Sequence, residues 1–308
     1  MKAGKRRLAA FAVVAATMLL ALVGVVTPAW AEEGSTTPHL PVKDNKVTIT
    51  STLTMNENAV VPNATFNYSI APAEEESELT STSGMPVTAG VKDAVTLSPT
   101  SVNFSNKGLT STENTGEKTK TITAKLSAEI KTSLFKAPGI YRYKITQTPS
   151  ELDGLKVTHE ALFLDVYVEN GDNGDSGLVV KGCTLNTAAG SGSKTSGFEN
   201  KYVTYKLTIT KVVAGNQGDK NKDFEFTVTI KGADGETYKY GTVKNGVTTM
   251  NQTTTKSGAT FTETLKHGES VIVYGLSSND TYAINEADYS SVGYKTSYKI
   301  GEYGTEVG

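Results

Sequence analysis

The stretch Tyr205-Lys-Leu-Thr-Ile-Thr-Lys-Val-Val213 decides how this chain is read. It is β-branched and apolar and alternates with a period of two, which predicts a β-strand. Leu207, Ile209, Lys211 and Val213 share one parity and point to one face. Lys211 therefore stands among aliphatic side chains on the core side. An ammonium taken out of water is costly, so a lysine placed there finds a partner or gives up its proton, and a neutral amine is a nucleophile.

Outward from this strand the same alternation recurs. Val47, Ile49, Ser51, Leu53 and Met55 form one strand, and Phe66 to Ile70 another. Pro138-Gly-Ile-Tyr-Arg-Tyr-Lys-Ile-Thr-Gln147 is a turn running into a strand, followed by strands at Leu162 to Val168 and Leu178 to Val180. Thr119 to Ile130 reads as a strand whose later part, from Leu126, also suits a short helix. Beyond the opening stretch, Phe224 to Ile230 is a strand, and others are expected at 236–240, 259–265, 270–274, 280–286 and 293–300. The 29 glycines and the many Thr and Tyr fit an all-β protein. The acidic run Glu74 to Glu78 reads as a solvated loop, and residues 186–197 as a Gly/Ser/Thr/Ala loop.

The pattern repeats. Phe66-x-Tyr-x-Ile returns as Phe224-x-Phe-x-Val, and Tyr143-x-Ile-x-Gln147 returns as Tyr282-x-Ile-x-Glu286. Two tandem copies of one β-domain follow. In the second copy Tyr282, Ile284 and Glu286 share a face, so this acid also points inward. A carboxyl in an apolar site tends to keep its proton and can polarise a carboxamide, which a neutral lysine could then attack. A buried Lys211–Glu286 salt bridge is the plainer alternative.

The 308 residues suffice for two ordinary domains. The formal charge is −2, and four of the basic residues, Lys2, Lys5, Arg6 and Arg7, stand in the first seven positions. A mildly acidic chain without a basic stripe is a poor nucleic-acid binder. Those basic residues, the apolar run Leu8 to Val26 and Ala29-Trp30-Ala31 read as a secretory signal cleaved after Ala31, with an uncleaved membrane anchor as the alternative. No further apolar run and no sortase sorting signal is visible, so no membrane partner is expected of the mature chain. The single cysteine, Cys183, cannot form an internal disulfide and reads as a small core filler.

Together Val61-Pro-Asn-Ala-Thr-Phe-Asn-Tyr, Pro138-Gly-Ile-Tyr-Arg-Tyr-Lys-Ile-Thr, Gly197-Phe-Glu-Asn200, Lys211-Val-Val-Ala-Gly, Lys222-Asp-Phe-Glu-Phe226 and Asn285-Glu-Ala-Asp-Tyr289 resemble the Gram-positive major (shaft) pilins with streptococcal-type isopeptide-linkage domains. The resemblance covers nearly all of the mature chain. It implies Ig-like β-sandwich domains, each stapled by a Lys–Asn isopeptide bond assisted by a Glu. In the first domain the family's lysine falls on Ser51 and its glutamate on Gln147, and only Asn200 remains. No bond is expected there, and the three polar side chains are expected to hydrogen-bond to one another. In the second, Lys211 and Glu286 match, while the asparagine of a last Phe-x-Asn strand is absent from the sequence. Lys194, six residues before Asn200, matches loosely the lysine that sortase joins to the next subunit; an ordinary loop lysine is the alternative.

The resemblance implies the division 1–31 signal peptide, 32–44 flexible lead-in, 45–202 first pilin isopeptide-type β-sandwich and 203–308 second β-sandwich, lacking its last strand. It further implies an exported subunit of a covalent pilus at the cell wall surface, with other pilin subunits, a pilin-type sortase and a host surface as partners. A non-polymerised adhesin or stalk of the same modules is the alternative. Enzyme signals are weak. His39, His159 and His267 lie in unrelated contexts and read as surface residues. No metal-ligand spacing, nucleophile elbow or phosphate loop is present, and the aspartates of Gly171 to Gly177 do not follow an EF-hand. No cofactor and no metal is expected.

Overall fold

A computed structural model describes residues 40–82, 84–114, 116–171, 177–190 and 192–301. The signal segment with Ala31, His39 and most of the Gly171 to Gly177 turn lie outside these residues. The described chain is nearly all β-strand, built as Ig-like sandwiches around two hydrophobic cores.

The first core lies between a seven-stranded sheet, to which Val42–Lys43 and Thr110–Asn114 pair off the main path, and a six-stranded sheet, to which Val87–Ala89 does. The first sheet runs Leu155–Val157, Gly197–Tyr202, Lys46–Asn56, Thr119–Ile130, Val95–Ser98. The second runs Leu178–Asn186, Ala161–Asn170, Gly139–Pro149, Thr65–Pro72, Ser101–Asn103. Alternation does the sorting: Val47, Ile49, Ser51, Leu53 and Met55 are buried while their neighbours are not. Gly197–Tyr202 pairs in parallel with Lys46–Asn56, setting Gly197 beside Thr50 and Tyr202 beside Met55. That approach needs glycine at 197, because a Cβ there would sit 1.7 Å from the Thr50 carbonyl oxygen.

The second core lies between a four-stranded sheet, Tyr205–Thr210, Ser270–Leu276, Thr237–Lys244, Val247–Lys256, and a three-stranded sheet, Thr260–Leu265, Phe224–Lys231, Thr281–Glu286. Tyr205–Thr210 stands at the edge of its sheet, whereas Lys46–Asn56 in the first is flanked by Gly197–Tyr202 on one side and Thr119–Ile130 on the other.

Several expectations change. Thr119–Ile130 is strand throughout, since its later half pairs with both Lys46–Asn56 and Val95–Ser98. The expected strand at 293–300 does not form; a short 3-10 turn at Ser290–Val292 precedes it, and Tyr298 and Ile300 are exposed. Val247–Lys256 is an unexpected strand. Leu40 is buried and bridges to Cys183, and Val42–Lys43 pairs with Lys46–Asn56, so residues 40–44 join the first body although the sequence reads them with the lead-in.

Candidate functional site

The repeated motifs meet in equivalent register. In the first body Tyr68 stands opposite Gln147, and in the second Phe226 stands opposite Glu286. Lys211 follows directly on the edge strand; its N–H donates to the Glu269 carbonyl at 3.0 Å and its own carbonyl accepts from Gly268. Its side chain turns inward and the ammonium bonds the Glu286 carboxylate, with the two side chains 12% and 7% exposed. The same ammonium lies 4.0 Å from the centroid of the fully buried Phe224 ring, whose field favours a cation. Tyr289 and Tyr294 meet that ring edge-on at 5.0 and 5.1 Å, and their hydroxyls accept the N–H groups of Glu225 and Asp219. Amine and acid are thus brought together in a half-closed aromatic pocket as a salt bridge.

The first body holds a polar counterpart. Ser51, Gln147 and Asn200 are 0%, 2% and 1% exposed. Gln147 and Asn200 exchange two amide hydrogen bonds, 3.0 and 3.2 Å, and Gln147 Nε2 also donates to the His159 carbonyl. Ser51 does not join them: its hydroxyl accepts from the Tyr68 hydroxyl at 2.7 Å. Burial pushes the Tyr68 phenol up to about 12, against a smaller opposing effect of that bond. The expected three-way network is therefore a pair plus a separate Ser–Tyr contact, because Tyr68 points into the same core from the facing sheet.

Lys194 is half-buried. Residues 186–197 form a hairpin extension rather than a free loop: Asn186 and Lys194 face each other in an antiparallel bridge, Thr187 N–H donates to Ser193 O, and Thr195 N–H to Leu185 O. Cys183 is free and fully buried, and burial raises its thiol far above the ordinary value. Glu78, expected in solvent, is 9% exposed and pairs with Lys144 at 2.7 Å. His159 and His267 are half-buried rather than superficial, and His267 Nδ1 accepts the N–H of Val213, two residues past Lys211. Among the described residues no group of three or more His, Cys, Asp or Glu is placed to hold a metal, and no helix is long and apolar enough to cross a membrane.

The Spy0128-like isopeptide containing domain matches residues 47–203, just over half of the sequence. The chain belongs to that family. Residues 205–307 match a domain of unknown function, DUF7601. A pilin from Streptococcus pyogenes serotype M1 is 29% identical over 293 residues, covering 91% of this chain and 78% of that protein. The pilus tip adhesin Cpa of Streptococcus pyogenes is 43% identical over 88 residues, covering 29% of this chain and 12% of the adhesin. The crystal structure of the major pilin from Streptococcus pyogenes superposes with a TM-score of 0.50 at 26% identity, over 82% of this chain and 85% of that one. The isopeptide name attaches to residues 47–203, the body that holds Ser51, Gln147 and Asn200.

Proposed function

We propose that this chain is a structural subunit of a covalently assembled cell-surface pilus, a pilin rather than an enzyme. The observation that carries the reading is the inward Lys211–Glu286 pair, in the register that Gln147 occupies in the first body, within a chain whose relatives are pilins. We take the two bodies as the two sandwich domains, divided after Tyr202, with residues 40–44 joined to the first.

In the second domain, one proton passed from the Lys211 ammonium to Glu286 leaves a neutral amine beside a neutral acid. An asparagine on a strand added beside Tyr205–Thr210, as Gly197–Tyr202 lies beside Lys46–Asn56, would supply the electrophile. The amine attacks the carboxamide carbon, the bond to the side-chain nitrogen breaks, ammonia leaves with the transferred proton, and the Lys211 nitrogen gives its remaining extra proton to Glu286, giving an amide between two side chains. Glu286 holds the carboxamide oxygen during attack. The first domain keeps only Asn200 and stays unstapled.

Between subunits, Lys194 is the amine that a pilin-type sortase joins to the C-terminus of another subunit. The protein is exported by the segment ending at Ala31 and carried at the cell wall, where it supports adhesion to a host surface. In a pilus-forming host, K194A abolishes the high-molecular-weight ladder; a ladder persisting through another lysine removes Lys194 from the linkage. The 88-residue match to a tip adhesin favours a second reading, a stalk module of a non-polymerised adhesin, in which the parent chain forms no ladder at all.

A further inference from the structure

Among the described residues, the most deeply buried charges lie outside both sites. Arg142 and Asp165 face each other across adjacent strands, both side chains 0% exposed, on the sheet face opposite the core residues Tyr143 and Ile145. Arg142 uses its whole fork: Nε to Asp165 Oδ1 at 2.6 Å, Nη2 to Asp165 Oδ2 at 2.8 Å and to Thr82 Oγ1 at 2.5 Å, and Nη1 to the carbonyls of Glu78 and Thr80 at 2.9 and 3.0 Å. The pair thereby clamps segment 78–82 over the sheet. A buried ion pair contributes little net stability against apolar replacements, so what it supplies is fixed geometry.

That geometry leads to Lys194 from two sides. Asp165 Oδ2 also accepts Asn186 Nδ2 at 3.3 Å, and Asn186 is the residue bridged by its backbone to Lys194. At the hairpin tip, Gly190 has φ +77° and lies so close to Thr80 that a Cβ would come 2.3 Å from its hydroxyl. Thr80 is one of the residues whose carbonyl Arg142 holds. Base and tip of the extension carrying Lys194 are therefore tied to one buried network.

We propose that Asn186, held by the Arg142–Asp165 pair, and Gly190, seated on Thr80, are positioning residues that fix the Lys194 amine for transfer from a cysteine-bound acyl thioester. This rests on the linkage role of Lys194 given above. In that step the Lys194 nitrogen attacks the thioester carbon, the carbon–sulfur bond breaks, the sulfur leaves as thiolate, and the nitrogen loses a proton as the amide forms. Misplacement of a reacting atom by about 1 Å costs up to about a hundredfold in rate.

The test uses the full chain as acceptor, with a pilin-type sortase pre-acylated by a fluorescent sorting-motif peptide. N186A and G190A are each expected to lower kcat/KM for transfer by about tenfold or more, while Lys194 still reacts with a small amine-directed ester at the parental rate. Two variants at separate points guard against misfolding of either. Transfer at the parental rate in both overturns the proposal, as does a loss of small-ester labelling in step with transfer, which would mean the lysine is merely hidden. K194A separates the two levels: if it accepts acyl groups as the parent does, the linkage reading fails and the positioning role with it.

Discussion

Gln147 and Glu286 occupy the same place in their two domains: each stands opposite the middle aromatic of the Phe-x-aromatic motif, Tyr68 in one and Phe226 in the other. The acid meets a lysine amine, and the amide meets an asparagine amide. The aromatic changes in step. Tyr68 brings a hydroxyl to bond Ser51 in the first domain; in the second, where Lys211 bonds the acid, Phe226 has none.

The first prediction is that a staple can be built into the first domain. S51K alone would bury an ammonium against Tyr68 without an acid. The triple variant S51K/Y68F/Q147E copies the second domain and leaves Asn200 in place. Its intact mass is expected to fall by one ammonia, and its stability to rise by about 4 kcal/mol from closing so long a loop. An unchanged mass would show that register alone does not make the bond.

The Gln147–Asn200 pair is a second test. Q147A strands the Asn200 carboxamide and the His159 carbonyl in the core, and a cost of about 2–4 kcal/mol is expected in urea denaturation. Q147L/N200L removes both partners and is expected to recover at least half of it. Equal losses in the two variants would contradict the reciprocal pairing.

Arg142 gives a third. R142M leaves Asp165 buried without its cation, with an expected cost of about 3–5 kcal/mol. It also frees segment 78–82, so limited proteolysis should cut there first. Resistance of that segment in R142M would show that Arg142 does not hold it.

The fourth concerns pH. Lys120 donates to the carbonyls of Glu57 and Ala59. Burial lowers its pKa from 10.5 to about 8, the charge of Lys239 adds to this, and Glu113 and Glu57 oppose it. Between those values the unfolded chain binds more protons than the folded one, so this group's contribution to stability rises with pH. Tyr68 and Tyr143, both pushed up by burial to about 12, act in the opposite sense above about pH 10. Urea midpoints of the parent relative to K120M should therefore climb between about pH 8 and 9.5. A flat difference would refute the shift.

Much of the fold was legible because period-two alternation reports directly on burial, as in Lys46–Asn56 and Phe224–Lys231. The facing of Lys211 and Glu286 followed from the same parity. Val247–Lys256 escaped because almost all of it is solvated, so no apolar pattern marks it. Tyr298 and Ile300 misled because their strand-like alternation stays exposed rather than joining a core. The Arg142–Asp165 network was invisible because its donors and acceptors converge from residues far apart in sequence, and a lone arginine in a strand looks like a solvent-facing one. Tyr68 was missed as the partner of Ser51 for the same reason: parity gives the face, not the reach of a hydroxyl.

The parallel ladder between Lys46–Asn56 and Gly197–Tyr202 has a mechanical meaning. Its strands are the way into and out of the first domain, and a pull on the two ends drags them in opposite directions along their common axis. The load falls in shear on every rung from Thr50 and Gly197 to Met55 and Tyr202 at once. Hauling instead on Lys46 and Glu129, partners in an antiparallel ladder, would unzip it rung by rung. The first domain is thus oriented to resist tension along a fibre.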